Sequence, residues 1–113
     1  MRKIVIDMQN YLFADAVAAA FKSSDYDIEV IRAESPRDTV ELCQVYEPFA
    51  LGMEVTGYTP WKLGERLKLR DRVRELCPNC KIALMVDSNT ERQAAKDIRD
   101  AKKDGLIDQF FYG

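Results

Sequence analysis

Short apolar runs alternate with amphipathic segments along the whole sequence, and this alternation constrains the fold more than any other feature. The apolar runs, rich in Val, Ile, Leu, Met and Phe, predict strands at residues 3–8, 28–33, 49–55, 81–86 and 108–112. The segments between them repeat apolar residues every three or four positions and predict helices at residues 10–23, 36–47, 61–77 and 90–103. Strands that alternate with helices through short connections form a parallel sheet with helices on both faces. The predicted fold class is α/β, with a doubly wound sheet of five parallel strands.

Length and composition fit a single domain at residues 1–113, because two separate cores would each be too small to be stable. Of the residues, 47% are hydrophobic and 32% are charged, which excludes a disordered chain. The sequence contains no histidine, which excludes Ser-His-Asp triads, Cys-His pairs and HExxH zinc sites. No run reaches the roughly 18 apolar residues of a membrane span. Three cysteines without a secretory signal indicate reduced thiols, so we expect a cytoplasmic protein.

The charge pattern argues against a nucleic-acid partner for this domain alone. The chain has 17 basic and 19 acidic residues and a net charge of -2. The predicted third helix nevertheless carries basic residues at intervals of four: Lys62, Arg66, Arg70 and Arg74. Such a stripe can contact phosphates. We favour a solvated helix face on which Glu65 and Asp71 make local ion pairs.

Polar or acidic residues stand at or just after the ends of several predicted strands. Sites of open parallel sheets lie beyond the carboxyl ends of the strands. The residues expected at that edge are Asp7, Met8, Gln9, Glu54, Asp87, Ser88 and Tyr112. Asp7, Glu54 and Asp87 would there form a carboxylate cluster of the kind that suits magnesium. The alternative, which we favour, is that Asp87 and Ser88 cap the helix that follows them.

The segment Cys77-Pro78-Asn79-Cys80 is a CxxC motif. Thiol-disulfide enzymes place this motif at a helix amino terminus, where the helix dipole lowers the thiol pKa. Here the motif follows a helix, so the dipole has the wrong sign. A zinc site would need more ligands, and Cys43 is the one other cysteine. We interpret the motif as a helix-ending loop and keep a thiol redox protein as the weaker alternative function.

The size, the element order and the acidic ends of the first and third strands resemble the receiver domain of bacterial response regulators, which has a flavodoxin-like fold. The similar stretches are residues 4–17 (IVIDMQNYLFADAV), Tyr46-Glu47-Pro48 followed by FALGMEV, and residues 72–86 (RVRELCPNCKIALMV). By this resemblance the phosphoacceptor aspartate falls on Glu54. The paired metal-binding acids fall on Asp7-Met8 or Met8-Gln9, and the switch Thr or Ser falls on Asp87 or Val86, with Ser88 one step beyond. The lysine of the fifth strand falls on Tyr112.

The resemblance implies a pseudo-receiver of two-component signalling that has lost phosphotransfer. Receivers place a phosphoryl group on a carboxylate while magnesium and a lysine neutralise the developing charge. The site around Glu54 has no such lysine and only one acid of the metal-binding pair. Glu54 therefore either imitates a phosphorylated aspartate or is inert. We expect a non-enzymatic domain without cofactor that acts by protein–protein interaction in signalling or transcriptional regulation. The alternative is a flavodoxin-like module that binds a metal or small ligand at Asp7, Glu54 and Asp87.

The resemblance also indicates an interaction surface. Receivers usually signal, often as homodimers, through a face made by the fourth helix, the fifth strand and a last helix. Here that face would involve residues 94–103 and 110–112. The sequence shows no pattern for the last helix, so one face of the sheet beside residues 110–112 should be under-covered. A longer chain or a protein partner, including a second copy, would supply the cover.

Overall fold

The computed structural model describes residues 2–9, 11–22, 27–87 and 91–112, without the side chains of residues 11–13 and 21–22. The strands are β1 (Arg2–Asp7), β2 (Ile28–Arg32), β3 (Ala50–Glu54), β4 (Lys81–Val86) and β5 (Gln109–Tyr112). The helices are α1 (Tyr11–Lys22), α2 (Pro36–Tyr46), α3 (Leu63–Leu76) and α4 (Arg92–Lys103). Every predicted strand and helix is present, with ends displaced by one or two residues at most.

The five strands form one parallel sheet in the order β2-β1-β3-β4-β5. This order confirms the predicted α/β class and the doubly wound, flavodoxin-like topology. The chain first moves outward from β1 to β2 and then returns past β1 to β3, so the direction of winding reverses between β1 and β3. In open sheets of this kind, ligands bind where the winding reverses.

The two faces of the sheet are covered unequally. Helices α2, α3 and α4 pack on one face over a core that includes Val5, Leu51, Val73, Leu84 and Ile98. On the other face α1 contributes Ala14 and Val17 to a smaller core with Ile4, Ile6 and Met85. Alternate residues of β1 serve the two cores, as the period of two along a strand requires.

The apolar spacing of the sequence predicts Ala16 and Ala20 on the inward face of α1 and Leu76 on that of α3, and both inward faces differ in part from this prediction. On α1, Ala16 and Ala20 were expected inward but are exposed, whereas Ala14 is buried. Val17 packs against the smaller core as expected, and Ala20 lines an open apolar groove beside it. The expected contacts of Leu12, Phe13 and Phe21 lie outside the described side chains. On α3, the predicted inward Leu76 is exposed because the helix ends there and Cys77 takes the buried position.

The pair Thr59-Pro60 in the sequence predicts a cap residue and the first residue of the third helix, and this prediction is wrong. Helix α3 begins at Leu63 with Lys62 as its N-cap residue, and the Thr59–Pro60 peptide bond is cis. Backbone hydrogen bonds hold this segment in a turn, from Trp61 N–H to the Tyr58 carbonyl at 2.8 Å and from Thr56 N–H to the Trp61 carbonyl at 3.0 Å. These bonds shift the start of the helix to Leu63, and the apolar spacing of the sequence cannot predict them.

The start of α2 agrees with the sequence in position and differs in detail. The segment Ser35-Pro36-Arg37-Asp38 predicts a helix start in which the Ser35 side chain caps the backbone, and Ser35 is indeed the N-cap residue with Pro36 in the first turn. The Ser35 hydroxyl makes no cap hydrogen bond to the helix backbone. It donates instead to the Asp38 carboxylate at 3.4 Å, so the predicted side-chain cap is not formed.

Among the described helices, α1 alone lies on its face of the sheet. This face contains an apolar groove of about 470 Å³. Its walls include Ile6, Val17, Ala50, Gly52, Ala83 and Phe111. Phe111 is 53% exposed and Tyr112 is 47% exposed beside it. This is the under-covered sheet face that the sequence predicts next to residues 110–112. None of the helices in the described ranges is long and apolar enough to cross a bilayer.

Candidate functional site at the carboxyl edge of the sheet

Two acidic residues end the two central strands on either side of the winding reversal. Asp7 is the last residue of β1 and Glu54 is the last residue of β3, and the two strands pair with Asp7 opposite Met53. Both side chains are buried, with 2% and 5% of their surfaces exposed. Buried carboxylates need partners, since an unpaired buried charge is costly.

The partner of Asp7 is Arg66 of α3, which is fully buried. Its Nη1 donates to Asp7 Oδ2 at 2.7 Å, and its Nη2 donates to Asp7 Oδ1 at 3.3 Å and to the Asp7 carbonyl at 3.1 Å. Its Nε donates to the Glu54 carbonyl at 2.8 Å. The planar guanidinium therefore joins the ends of β1 and β3, in the bidentate geometry that makes arginine–carboxylate pairs strong.

Two further donors complete this network. The Thr39 hydroxyl on α2 donates to Asp7 Oδ2 at 2.7 Å. The Gln9 backbone N–H donates to Glu54 Oε1 at 2.7 Å. In the described part of the chain, no buried side-chain nitrogen or oxygen lacks a hydrogen-bond partner. A polar network with every member satisfied holds one geometry, so the two strand ends, α2 and α3 are fixed to one another here.

Arg66 corrects the interpretation of the basic stripe as a solvated face. Arg66 is buried, Arg70 is largely covered and donates to the Leu106 carbonyl at 2.7 Å, and Arg74 lies 3.7 Å from the Asp108 carboxylate. Three of the four residues of the stripe thus contact other parts of the same domain, while Lys62 is exposed. The expected local pairs do form, between Lys68 and Glu65 and between Arg70 and Asp71.

The remaining predicted site residues are more scattered than expected. Met8 is buried in the smaller core with Ile4 and Ile6, and Gln9 is exposed apart from its backbone contact. Asp87 follows β4 and is half-buried. Helix α4 begins later, with Glu91 as its N-cap residue, so the favoured prediction that Asp87 caps this helix is wrong. Ser88 lies outside the described residues.

Tyr112 ends β5 opposite Val86. Its ring packs against Phe110 with 5.3 Å between ring centroids, and it also lines the apolar groove. No hydrogen bond joins it to Asp7 or Glu54 among the described contacts. At this position the chain therefore presents an aromatic ring where the resemblance would require a cation.

The resemblance implies magnesium at this edge, and the residues present do not fit it. Both carboxylate oxygens of Asp7 are bound by Arg66, and one Glu54 oxygen is bound by a backbone N–H. Across residues 2–9, 11–22, 27–87 and 91–112, no three Cys, Asp or Glu side chains are arranged to hold a metal ion. The positive charge that balances Asp7 comes from the chain itself.

A small cavity of about 250 Å³ lies beside the network. It is bounded by Asp7, Met8, Gln9, Glu34, Ser35, Pro36 and Trp61. Trp61 is half-buried in its wall, whereas Tyr58 is largely exposed. The sequence places Trp61 just after the third strand and so predicts it near the strand ends, which is confirmed by its position in this cavity wall. The fluorescence of Trp61 therefore reports on this edge.

Sequence reasoning did not identify Thr39 and Arg66 as members of the site. Arg66 repeats with three other basic residues at the spacing of a solvated face, and only its depth in the fold distinguishes it. Thr39 lies one turn inside α2, where threonine has no distinctive spacing. No signal in the sequence separates these two residues from their neighbours.

No protein-family profile and no curated protein matches the sequence significantly. Similar solved structures do exist. A response regulator from Burkholderia pseudomallei, crystallised with a phosphorylated aspartic acid, a calcium ion and citrate, has a TM-score of 0.64 at 16% identity over 99% of this chain. This chain spans 59% of that protein.

Two further regulators have similar structures. A DNA-binding response regulator of the LuxR family from Staphylococcus aureus has a TM-score of 0.66 at 15% identity, over 99% of this chain and 86% of its own. A two-component transcriptional regulator from Clostridium phytofermentans has a TM-score of 0.60 at 18% identity, over 96% and 93%. The chain therefore has the fold of the receiver domains of response regulators.

Proposed function

We propose that this receiver-like domain signals by protein–protein interaction and is not switched by phosphorylation. The observation that carries the proposal is the buried Arg66 guanidinium between the ends of β1 and β3. Phosphorylation of a carboxylate replaces its single negative charge with the roughly two negative charges of an acyl phosphate at neutral pH. Each nitrogen of the Arg66 guanidinium already binds Asp7 or the Glu54 carbonyl, so this cation is not available to neutralise the added charge.

The surroundings of Glu54 support the same conclusion. Its carboxylate is 5% exposed and accepts the Gln9 N–H at 2.7 Å. We propose that Glu54 holds the segment after β1 in one fixed arrangement, as an unchanging substitute for a switchable aspartate. Tyr112 in place of a lysine removes a second positive group that would stabilise a phosphoryl transition state.

The setting that we propose is cytoplasmic two-component signalling or transcriptional control. Two proteins of similar structure are described as a DNA-binding response regulator and as a transcriptional regulator. The partner of this domain is a protein, which includes a second copy of the chain. The exposed aromatic residues of β5 and the adjoining groove support a contact there.

Phosphorylation is tested by incubation with acetyl phosphate and magnesium, followed by intact mass. We expect no gain in mass, while a receiver with an intact phosphoacceptor aspartate, treated in parallel, gains one phosphate. The variant Glu54→Asp should also stay unmodified, because Arg66 and Tyr112 are unchanged. A phosphate on the wild-type chain would overturn the proposal.

The alternative function as a metal-binding module is tested separately. Trp61 is the single tryptophan, and it lines the cavity beside Asp7. Titration with magnesium should leave its fluorescence unchanged, since Arg66 binds both Asp7 oxygens. A saturable change at millimolar magnesium that disappears in Asp7→Asn would favour the metal-binding alternative instead.

A further inference from the structure

The apolar groove beside α1 has the size and composition of a small-molecule site. Ligand sites in proteins are concave, enclose roughly 300–1,000 Å³ and are lined mostly by apolar side chains, with a few polar groups that orient the ligand. The groove encloses about 470 Å³, and its lining side chains are apolar apart from those of Lys81, Asp108 and Gln109. It therefore meets the first requirement of such a site.

The shape of the groove follows from the residues that the strands direct to this face. Ala50 and Gly52 of β3 and Ala83 of β4 form its floor, and Gly52 is paired directly with Ala83. These residues have almost no side-chain bulk. Val17 of α1 and Phe111 of β5 lie on opposite sides of them, because β3 and β4 stand between β1 and β5. Small residues between larger ones leave a trough in the sheet face.

The two charged residues of the lining differ in their partners. The Asp108 carboxylate accepts the Ile82 N–H at 2.8 Å and lies 3.7 Å from the Arg74 guanidinium. Lys81 opens β4, is exposed, and forms no ion pair within the described ranges. The positive charge of Lys81 is therefore available to a ligand, whereas the negative charge of Asp108 is already balanced.

A second positive charge stands at the same end of the groove. Arg2 opens β1 and alternates with Ile4 and Ile6, which line the groove. Its guanidinium carbon lies 4.5 Å from the centroid of the Phe49 ring, which also lines the groove. Toward the carboxyl edge of the sheet, the described lining has no charged side chain. The groove is thus cationic at its amino end and apolar along the rest of its length.

We propose that the groove binds a small amphiphile with an anionic head, of the chemical class of medium-chain fatty acids. The carboxylate lies at Lys81 and Arg2, and the alkyl chain lies over Gly52 and Ala83 toward Phe111. Burial of the alkyl chain supplies most of the affinity, and the cations fix its direction. Such a site goes beyond the proposed protein contact, which uses the same surface, so a bound amphiphile and a protein partner would exclude each other.

The test is calorimetric titration of the full chain with decanoate, below its micelle concentration and with the protein dilute enough to be monomeric. We expect saturable binding of one decanoate per chain. Hexanoate should bind more than about tenfold more weakly, since each buried methylene contributes roughly threefold to fourfold in affinity. Decyltrimethylammonium has the same alkyl chain with a positive head and should also bind more weakly. Absence of binding, uptake of several molecules without saturation, or equal affinity for the anionic and cationic amphiphiles would each overturn the proposal.

Two variants separate the head from the chain. Lys81→Gln should weaken decanoate binding by about twofold to fivefold, the range of an exposed ion pair, without weakening that of decyltrimethylammonium. Ala83→Leu fills the floor and should weaken both amphiphiles by more than about tenfold. Lys96→Gln makes the same charge change on the exposed surface of α4, across the sheet, and should leave binding unchanged.

Equal effects of Lys81→Gln and Lys96→Gln would contradict the assignment of the head group. Undiminished binding in a folded Ala83→Leu, checked by circular dichroism, would contradict the assignment of the alkyl chain. Lys81 is exposed, so Lys81→Gln keeps the test decisive if Ala83→Leu does not fold. These titrations use neither phosphate nor a partner, so their failure is distinguishable from a failure of the proposed function.

Discussion

At the scale of single residues, the buried Arg66–Asp7 pair is the most consequential interaction in the molecule. Both side chains have almost no contact with solvent, and every nitrogen of the guanidinium has a bond to β1 or β3. Removing two charges from water is expensive, and their attraction roughly offsets that cost. The pair therefore contributes more to a single geometry at the strand ends than to net stability.

Breaking the pair from one side should have a large effect. We expect Arg66→Met to lower the free energy of unfolding by about 3–5 kcal/mol, because it leaves the Asp7 carboxylate buried and unpaired. Urea unfolding followed by Trp61 fluorescence measures this. The exposed Arg72 of the same helix provides the control, since Arg72→Met should change stability by less than about 0.5 kcal/mol. Equal losses in both variants would contradict the account of Arg66.

The double variant Asp7→Asn with Arg66→Met separates charge from packing. If the unpaired carboxylate causes the loss, the double variant should be less destabilised than the sum of its single variants by about 0.5–3 kcal/mol. The same unfolding measurement on the four proteins gives this coupling energy. Strict additivity would mean that the two side chains act independently.

At the scale of helices and strands, α4 depends on one large apolar side chain. Its buried face consists of Ala95, Ile98 and Ala101, and Ile98 is fully buried. The alternation of small and large residues lets the helix lie close to β4 and β5. Helix α3, in contrast, directs two arginines at i and i+4 into the domain, where Arg66 bonds to the strand ends and Arg70 to the Leu106 carbonyl.

Truncation of Ile98 tests the anchoring of α4. We expect Ile98→Ala to cost about 2–5 kcal/mol, since it removes buried methyl groups and leaves a cavity between the helix and the sheet. The exposed Lys96 of the same helix gives the control, with less than about 0.5 kcal/mol lost in Lys96→Ala. Thermal unfolding by circular dichroism checks both, and a loss under about 1 kcal/mol for Ile98→Ala would show that α4 packs more loosely than described.

At the scale of the whole molecule, the unequal cover of the sheet is the dominant feature. Three helices lie on one face, and α1 alone lies on the other among the described residues. The apolar groove beside α1 continues to the exposed rings of β5. Exposed apolar patches of this kind mark interaction surfaces or favour self-association.

The exposed apolar groove predicts self-association through this face. We expect the domain to form dimers as its concentration rises, and Phe111→Ser to shift the equilibrium toward monomer because it removes apolar surface at the groove. Size-exclusion chromatography with light scattering measures the masses. Leu76→Ser removes another exposed apolar side chain, on the other face, and should leave the association unchanged. A wild type that stays monomeric at every concentration would contradict this prediction.

The period of the apolar residues determined the fold class, the five strands and the four helices. It did so because a helix buries one stripe of its surface and a central strand buries both faces, so each element sets the spacing of its own apolar residues. The same periodicity located Asp7 and Glu54 at one edge, since parallel strands end on the same side. The thin cover beside Phe111 was likewise predicted, from a helical pattern that is missing.

Only the tertiary structure decided which side chains meet across these segments. Arg66 and Thr39 reach Asp7 from helices that are distant in sequence, and the Cys77 thiol donates to the carbonyl of Cys43, which lies on another helix. Such contacts depend on how each helix is rotated and how far it slides over the sheet. A spacing of four along a helix fits a solvated arginine and a buried one equally well, and packing alone distinguishes them.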